Sequence, residues 1–394
     1  MQTVILAAGQ GTRMRPLTAT QPKPMLPVAG QPLVEHTVRA AIDAGADRIV
    51  LVIGYAGEAI RDHFAGLDLA VPVTFVEQPT RQGTADAVCV AATQLDEAPF
   101  VVLNGDALYD TTSLRELYTS GPAVGSIHVE NPASYGVLNV ADDLVIGVVE
   151  KPEDPPSSLI NAGAYVFPAA ALEWLDVPES ERGERELTDV LQRTCQEQSV
   201  TPVQFDRWLD VGRPWELLAA NEWKLTEIEP RIRGSVSDAA QLEGSVVIEE
   251  GATVRSGVVI EGPAYIRRNA TVGPNAYVRG ATLIGPNARV GHAVEVKNSV
   301  LMDGTSVGHL SYVGDSVLGR DVNFGAGTTV GNLRHDGESV RLTVKGNRVD
   351  TGRRKLGVIC GDGVKTGINT AINAGVVLDG GARTDPGESV VRDR

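Results

Sequence analysis

Residues 266–296 read Ile266-Arg-Arg-Asn-Ala-Thr-Val272-Gly-Pro-Asn-Ala-Tyr-Val278-Arg-Gly-Ala-Thr-Leu-Ile284-Gly-Pro-Asn-Ala-Arg-Val290-Gly-His-Ala-Val-Glu-Val296, so a β-branched residue returns at every sixth position. The row extends back through Ile260, Val254 and Ile248 and forward to Met302 without a gap. Six is neither the period of a helix nor the simple alternation of an ordinary strand. It describes a flat-sided coil, a β-helix, in which each short strand places one apolar side chain inside and small or turn-forming residues round the corner. The phase slips near residue 308, resumes at Leu318, Phe324 and Val330, and returns at Val358, Val364 and Val376. Residues 331–357 fit no hexad and are expected to form an extruded loop. A β-helix leaves a flank on which copies pack, so a homo-oligomer is expected, specifically a homotrimer.

Upstream of residue 240 the pattern differs. Residues 3–6, 48–53, 73–76 and 100–103 are short, apolar and rich in β-branched side chains, and stretches 32–44, 56–64 and 84–95 between them read as helices. That alternation predicts an α/β domain with a largely parallel sheet covered on both faces. Such a sheet binds ligands at the carboxyl ends of its strands. A helix over 214–227 leads to Pro230, a plausible linker, and gives expected domains of 1–228 and 229–394.

The 394 residues carry 50 acidic against 35 basic side chains, a formal charge of −15, and only 7 of the basic residues are Lys against 28 Arg. This acidity disfavours nucleic acid and anionic membranes as partners, since both require a basic face. It matches a halophilic surface in a salty cytoplasm, where carboxylates solubilise better than ammonium groups. Cys89, Cys195 and Cys360 show neither metal spacing nor a disulfide framework, which points to a reducing compartment. No basic leader precedes an apolar run and no 18-residue apolar stretch occurs, so a cytoplasmic protein without signal peptide or membrane span is expected.

The opening strand runs into Leu6-Ala7-Ala8-Gly9-Gln10-Gly11-Thr12-Arg13-Met14-Arg15-Pro16-Leu17-Thr18. Glycines directly after a first strand let backbone N–H groups approach an anion. The spacing is neither that of the kinase-type phosphate loop nor the dinucleotide Gly-x-Gly-x-x-Gly. Its charge is distinctive: residues 1–34 hold no Asp or Glu, and their charged side chains are Arg13, Arg15 and Lys23 alone. In so acidic a chain, this stretch reads as a polyphosphate site.

The run Leu6 to Thr18, followed by Gln21-Pro22-Lys23-Pro24-Met25-Leu26-Pro27-Val28-Ala29-Gly30-Gln31-Pro32-Leu33, resembles the signature of sugar-1-phosphate nucleotidylyltransferases. With the hexads, nearly the whole chain resembles the archaeal bifunctional enzymes similar to N-acetylglucosamine-1-phosphate uridylyltransferase/glucosamine-1-phosphate N-acetyltransferase. The resemblance implies a Rossmann-like nucleotidyltransferase domain followed by a left-handed parallel β-helix of hexapeptide repeats. It implies that Ala7, Ala8, Gly9, Gly11, Thr12 and Arg13 hold the nucleoside triphosphate, that Gln78, Gly83 and Thr84 read a pyrimidine base, and that Lys23 acts at the reacting phosphates. Asp106 and Asp210 would hold Mg2+, the divalent hard cation that bridges nucleotide phosphates through oxygen ligands. Gly136, Glu150, Lys151 and Asn161 would bind the sugar-1-phosphate. The implied reaction is in-line attack by the sugar-1-phosphate oxygen on the α-phosphorus of UTP or dTTP, with release of pyrophosphate. A phosphate monoester is already a nucleophile, so charge neutralisation and alignment are the requirements.

In the second half, His309-Leu310-Ser311-Tyr312 and then Asp321-Val322-Asn323-Phe324-Gly325-Ala326-Gly327-Thr328 resemble the acetyltransfer site of the same enzymes. By that resemblance His309 is the base that deprotonates the sugar amine, while Arg279, Lys297, Tyr312 and Asn323 bind the amino-sugar phosphate. Backbone near Ala326, Thr366 and Ala374 would run along acetyl-CoA, the co-substrate. The chain departs from the family's pattern at Asp336-Gly337-Glu338, where related enzymes tend to carry Lys in the third position. Two alternatives stand beside this reading. One is a monofunctional thymidylyl-, uridylyl- or guanylyltransferase with a non-catalytic oligomerising β-helix. The other is a sugar-nucleotide sensor that binds without turnover. The context of His309 argues against the first, and the paired Asp106 and Asp210 argue against the second.

Overall fold

The computed structural model describes residues 1–80, 82–180 and 183–394. By contact the chain divides into two compact units. One comprises Met1–Gln10, Pro22–Met25 and Pro32–Asp210; the other comprises Gly11–Gln21, Leu26–Gln31 and Val211–Arg394.

The first unit is built on a nine-stranded sheet. Its opening strand Gln2–Ala7 lies parallel between Arg48–Ile53 and Phe100–Asn104, with Val73–Glu77 parallel beyond Arg48–Ile53. Adjacent residues of these strands feed opposite cores. Ile5, Leu51 and Leu103 pack with the helices Leu33–Ala44 and Thr111–Thr119, while Val4, Val50 and Val102 pack with Thr84–Ala91 and Leu187–Glu197. Burial on both faces explains why these strands read as continuous apolar runs.

The largely parallel sheet expected from the sequence is in fact mixed. Leu159–Phe167 runs antiparallel to Phe100–Asn104, and Ala123–His128, Gly136–Ala141 and Leu144–Glu150 continue the antiparallel half. The reason is the length of the connections. Asp142 and Asp143 alone link two of these strands, both at positive φ (49° and 61°), and a two-residue turn of that kind joins only antiparallel neighbours.

The second unit is a left-handed parallel β-helix of three sheets with eight, seven and eight strands. Its early strands pair in parallel with the strand eighteen residues on, so Ile248, Ile266 and Ile284 stack in one sheet and Val254, Val272 and Val290 in the next. Many of the two-residue strands bury one side chain, as expected, and a second buried side chain lies two residues before it. Positions i and i−2 of a strand share a face, so a second row of small residues, including Ala252, Ala264, Ala270, Ala276 and Ala288, also lies inside. Where this row carries a hydroxyl, the group is buried and donates to a turn carbonyl: Thr282 to Arg279 at 3.0 Å, Ser316 to Gly314 at 2.7 Å, Thr328 to Gly325 at 2.7 Å. Val358, Val364 and Val376 belong to this second row, while Cys360, Ile372 and Leu378 continue the large one.

The phase also slips earlier than the sequence suggests. Ile284 pairs with Leu301, seventeen residues on, so Leu301 and not Met302 extends the apolar row. The missing residue is taken from the corner between Val296 and Leu301, where Asn298 adopts φ 45°. The segment 331–357 does leave the coil and contains an antiparallel hairpin, Arg341–Val344 with Asn347–Asp350, before Ile359–Cys360 rejoins Val317–Leu318.

Ala270 is fully buried in the small row. Ala270→Leu should therefore destabilise the β-helix by about 1–3 kcal/mol through overpacking. The check is thermal unfolding: the midpoint should fall for this variant and hold for Arg268→Leu, whose side chain is exposed two residues away.

Candidate active sites

In the first unit the candidate residues lie where the parallel strands end and backbone is pressed against backbone. A Cβ on Gly54 would lie 2.8 Å from the Ala8 carbonyl oxygen, and one on Gly105 would lie 2.8 Å from that of Leu6. The Gly105 N–H donates to the same Leu6 carbonyl at 2.9 Å, tying the turn that carries Asp106 to the end of the opening strand. Asp210 ends the strand Trp208–Asp210, which pairs antiparallel with Ala107–Tyr109 so that Asp210 faces Ala107. The two carboxylates are therefore fixed by adjoining strands.

Between them sits Lys23, whose side chain is 6% exposed, with Nζ 2.6 Å from Asp106 Oδ2 and 3.8 Å from Asp210 Oδ1. A buried ammonium persists only when paired in this way. The donor set is two aspartates with no nitrogen or sulfur, which fits a small hard cation. Among the described residues no group of three or more His, Cys, Asp or Glu gathers to hold a metal. Mg2+ typically takes only one or two carboxylates and completes its shell with phosphate and water.

The structure brings Gln78, Gly83 and Thr84 together. Buried Gln78 donates through Nε2 to the Gly83 carbonyl (3.2 Å) and to Asp86 Oδ2 (2.6 Å), and Thr84 Oγ1 accepts from the Leu187 N–H at 2.9 Å. Gly83, at φ 116°, sits where any Cβ would fall 2.2 Å from the Arg185 carbonyl oxygen. Gly136 lies opposite Glu150, with Glu150 Oε2 2.9 Å from where its Cβ would be, and Glu150 is paired with Lys151 at 3.2 Å. Asn161 is engaged internally: Oδ1 accepts from the Gly163 N–H at 2.9 Å and Nδ2 donates to the Tyr165 hydroxyl at 2.7 Å.

Sequence reasoning missed Tyr109. Its buried hydroxyl accepts from the Asn104 N–H (3.1 Å) and donates to the Gly163 carbonyl (3.0 Å), locking two strand ends, and burial keeps it neutral by raising its pKa well above the usual range. As an aromatic in an apolar strand it carries no signal beyond core packing.

Arg13 belongs to the second unit. Gly11, at φ 62°, starts the short 3-10 turn Thr12–Met14, and Thr18 Oγ1 donates back to the Gly11 carbonyl at 2.8 Å. The coiled loop buries Met14 and leaves Arg13 exposed.

On one β-helix face, strand register stacks Arg279 beside Lys297 and Glu295 beside Tyr312. Arg279 Nε lies 2.8 Å from Glu295 Oε1. Lys297 Nζ lies 2.7 Å from Asp315 Oδ2, and the Asp315 side chain is only 4% exposed. Asp315 also accepts from Asn298 (2.9 Å) and Asn332 (2.6 Å), and Asn332 reaches the Tyr312 hydroxyl at 3.1 Å. Asn298 further donates to Glu222 at 2.7 Å, and Glu222 is ion-paired with Arg353 from the base of the extruded loop. Glu222, Asn298 and Asn332 had no sequence signal, because the coil and the helix Pro214–Leu225 bring them together from distant positions.

His309 occupies the corner before Tyr312–Gly314. Its side chain is exposed and its carbonyl accepts from the Gly327 N–H at 2.9 Å, which sets Ala326 at the same corner one coil on. Leu310 beside it is 64% exposed at φ 61°. Two predicted ligands lie elsewhere. Asn323 is on the neighbouring sheet opposite Ser306, away from the face of Arg279, Lys297 and Tyr312. Ala374 follows the strand Ala371–Ile372 and lines a cavity of about 330 Å³ with Arg348, Arg392 and Asp393. Thr366 is buried, its hydroxyl bonded to Thr328 Oγ1 (2.8 Å) and to the Gly325 N–H (3.0 Å). The three cysteines are free, with Cys360 inside the β-helix core. Among the described residues no helix is long and apolar enough to cross a membrane.

These features define a nucleotidyltransferase sheet followed by a hexapeptide-repeat β-helix of acyltransferase type. The nucleotidyl transferase family matches residues 2–227, and the GMPPB C-terminal domain matches 260–383. The "Bifunctional protein GlmU" of Methanocaldococcus jannaschii is 42% identical over 397 residues, spanning 100% of this chain and 95% of that protein. The "Bifunctional sugar-1-phosphate nucleotidylyltransferase/acetyltransferase" of Sulfurisphaera tokodaii is 38% identical over 399 residues, with 100% and 98% covered. A solved UDP-glucose pyrophosphorylase from Acinetobacter baumannii superposes with a TM-score of 0.52 at 25% identity, covering 57% of this chain and 93% of that one. The chain belongs to the family of bifunctional sugar-1-phosphate nucleotidylyltransferase/acetyltransferases.

The Glu222–Arg353 pair generates a pH prediction. Burial alone would raise the Glu222 pKa, but the hydrogen bonds and charge of Arg353, helped by Asn298, hold it below the usual carboxylate range. A group depressed in the folded state contributes fully above its unfolded pKa of about 4.3 and loses that contribution as pH falls through the folded value. Protease protection of the 331–357 loop should therefore be flat from neutral pH down to about 4.5 and fall below it. Glu222→Gln should lower protection at neutral pH and remove the acid step.

Proposed function

We propose that this chain transfers a uridylyl or thymidylyl group from the nucleoside triphosphate to a sugar-1-phosphate, N-acetylglucosamine-1-phosphate or glucose-1-phosphate, and N-acetylates an amino-sugar-1-phosphate from acetyl-CoA in its β-helix. The observation that carries the first activity is the Lys23 ammonium buried between Asp106 and Asp210 at the strand ends. Asp106 and Asp210 would hold Mg2+, which neutralises phosphate charge and orients the triphosphate. Ala7, Ala8, Gly9, Gly11 and Thr12 receive the phosphates on backbone N–H groups, and Arg13 supplies positive charge to the departing pyrophosphate. Lys23 moves from the aspartates to the reacting phosphates as these enter, since a compact ammonium can exchange one oxygen partner for another. Gln78, Gly83 and Thr84 take the base, and Gly136, Glu150, Lys151 and Asn161 take the sugar-1-phosphate, whose oxygen attacks the α-phosphorus in line.

For the second activity, Arg279, Lys297 and Tyr312 bind the amino-sugar phosphate, and Asn323, on the neighbouring sheet, does not share their face. His309 accepts a proton from the sugar amine as its nitrogen attacks the thioester carbonyl, and the CoA sulfur leaves and takes up a proton. Ala326 and Thr366 line the path of acetyl-CoA. An exposed imidazole with no hydrogen bond among the described residues is available for that role. In this reading the protein works as a cytoplasmic homotrimer with domains 1–228 and 229–394, and its −15 charge is a halophilic surface.

The two sites predict separable losses. Arg13→Ala and Asp106→Ala should each lower Mg2+-dependent pyrophosphate release from UTP and a sugar-1-phosphate by about 100-fold or more and leave thiol release from acetyl-CoA intact. His309→Ala should do the reverse, with a loss of about 100- to 10,000-fold in acetyl transfer to glucosamine- or galactosamine-1-phosphate. Wild-type pyrophosphate release in either nucleotide-site variant would overturn the first assignment.

A further inference from the structure

The loop that carries Arg13 makes its contacts in the second half of the chain. Pro16 Cβ lies 2.9 Å from the position a Cβ would take on Gly361, so the Pro16 ring packs where only glycine leaves room. The Thr20 hydroxyl donates to Asp362 Oδ2 and accepts from Arg320 Nη2. Arg320 is itself fixed on Asp362, with Nε and Nη2 at 3.0 and 2.8 Å from Oδ2 and its backbone N–H at 2.8 Å from Oδ1. Gln21 Nε2 lies 3.7 Å from the sulfur of Met302, which is buried outside the apolar row. Three successive contacts thus hold residues 16–21 against β-helix residues 302, 320 and 361–362. A second stretch of the same motif is held likewise, because a Cβ on Gly30 would fall 3.0 Å from the Tyr265 ring and the Gly30 carbonyl accepts from Arg267.

We propose that the Arg320–Asp362–Thr20 cluster is a clasp by which the β-helix positions the Gly11–Gln21 loop, so that residues of the second half set the affinity of the first reaction for its nucleoside triphosphate. This rests on the reading that Arg13 binds the triphosphate. An isolated surface ion pair contributes little, but here one carboxylate accepts four hydrogen bonds, three from Arg320 and one from Thr20, in a geometry that a loop must occupy to complete it. The remainder of the loop is self-folded around Gly11 and Thr18 and therefore moves as a body, carrying Arg13 with it. Arg320, Asp362 and Thr20 are positioning residues, which act on the nucleotide through the loop. The consequence is that an acyltransferase-type coil contributes to nucleotidyl transfer.

The test uses full-length protein carrying Thr20→Val or Arg320→Ala, with Thr20→Ser as the conservative rescue. In steady-state pyrophosphate release with UTP, Mg2+ and a sugar-1-phosphate, the KM for UTP should rise about tenfold in the first two variants, the size of one lost charge-assisted hydrogen bond. The kcat should stay within about twofold, and Thr20→Ser should restore the wild-type KM. Trypsin cleavage of the Arg13–Met14 bond should accelerate in parallel, because Met14 is buried and the bond opens only when the loop lifts. Arg13→Ala is run alongside. If it raises the KM while Thr20→Val and Arg320→Ala change neither KM nor cleavage rate, the clasp is overturned. If the clasp variants speed cleavage while Arg13→Ala leaves the KM unchanged, the triphosphate reading of the loop is overturned, and with it the clasp's role in binding.

Discussion

The eighteen-residue coil is the constraint on which the second unit depends. Once each strand must pair with its successor one coil on, the neighbours of every side chain are decided by arithmetic rather than by local sequence. Ile248, Ile266 and Ile284 form one inner column because they are eighteen apart, and the same spacing places Arg279 against Lys297 on an outer face. The coil that loses one residue after Val296 changes that arithmetic. Glu295 then lies opposite Tyr312 and Lys297 opposite Gly314, one residue before the buried Asp315. Asn298, the corner residue at φ 45°, turns its amide onto both Asp315 and Glu222. A shortened coil therefore assembles a polar network that a regular one would not.

The first unit reaches an equivalent result by another route. Strand ends without side chains, Gly54 and Gly105, let carbonyls and N–H groups of neighbouring strands touch. The turns that follow carry the candidate site residues, at the carboxyl ends of the parallel strands where such a sheet opens. The Trp208–Asp210 strand then returns from far along the chain to pair with Ala107–Tyr109 and delivers the second carboxylate. Tyr109 holds Asn104 and Gly163 in place through a hydroxyl that burial keeps protonated.

What was legible in the sequence follows from how local each signal is. The hexad row is set by each strand's own burial, so Ile266, Val272 and Val278 declare it without reference to anything distant. The small row at Ala264, Ala270 and Ala276 was equally present, but alanine and threonine are common outside cores and do not stand out. The slip was misplaced because Leu301 and Met302 are adjacent and both buried, and only the cross-coil pairing distinguishes them. The parallel strands announced themselves by burial on both faces. The antiparallel strands at 136–150 did not, since Val140, Ile146 and Val149 are exposed and blur the alternation. Single-residue motifs such as Lys23, Asp106 and His309 were visible through their neighbours in sequence. Their supports, Asn298, Asn332, Glu222 and the Arg320–Asp362 pair, were not, because each works only across the coil.

Lysine usage shows how composition and site are related. A chain with 28 Arg and 7 Lys has replaced ammonium by guanidinium almost everywhere. Yet Lys23 and Lys297 each set an ammonium against an aspartate, at 2.6 and 2.7 Å, with side chains 6% and 17% exposed. A guanidinium is planar and wide and binds carboxylates as a fork, whereas an ammonium is a compact charge with three rotatable donors. Between Asp106 and Asp210, carboxylates on two different strands must share one cation, and a fork would satisfy one and displace the other. Beside Asp315, Asn298 and Asn332 already occupy the carboxylate, and only a point charge fits the remaining oxygen direction. Arginine serves where the partner is a whole carboxylate at the surface of a network, as with Arg320 on Asp362 and Arg353 on Glu222. The acidic, arginine-rich composition describes the solvent-facing surface, and Lys23 and Lys297 mark two places where geometry overrides it.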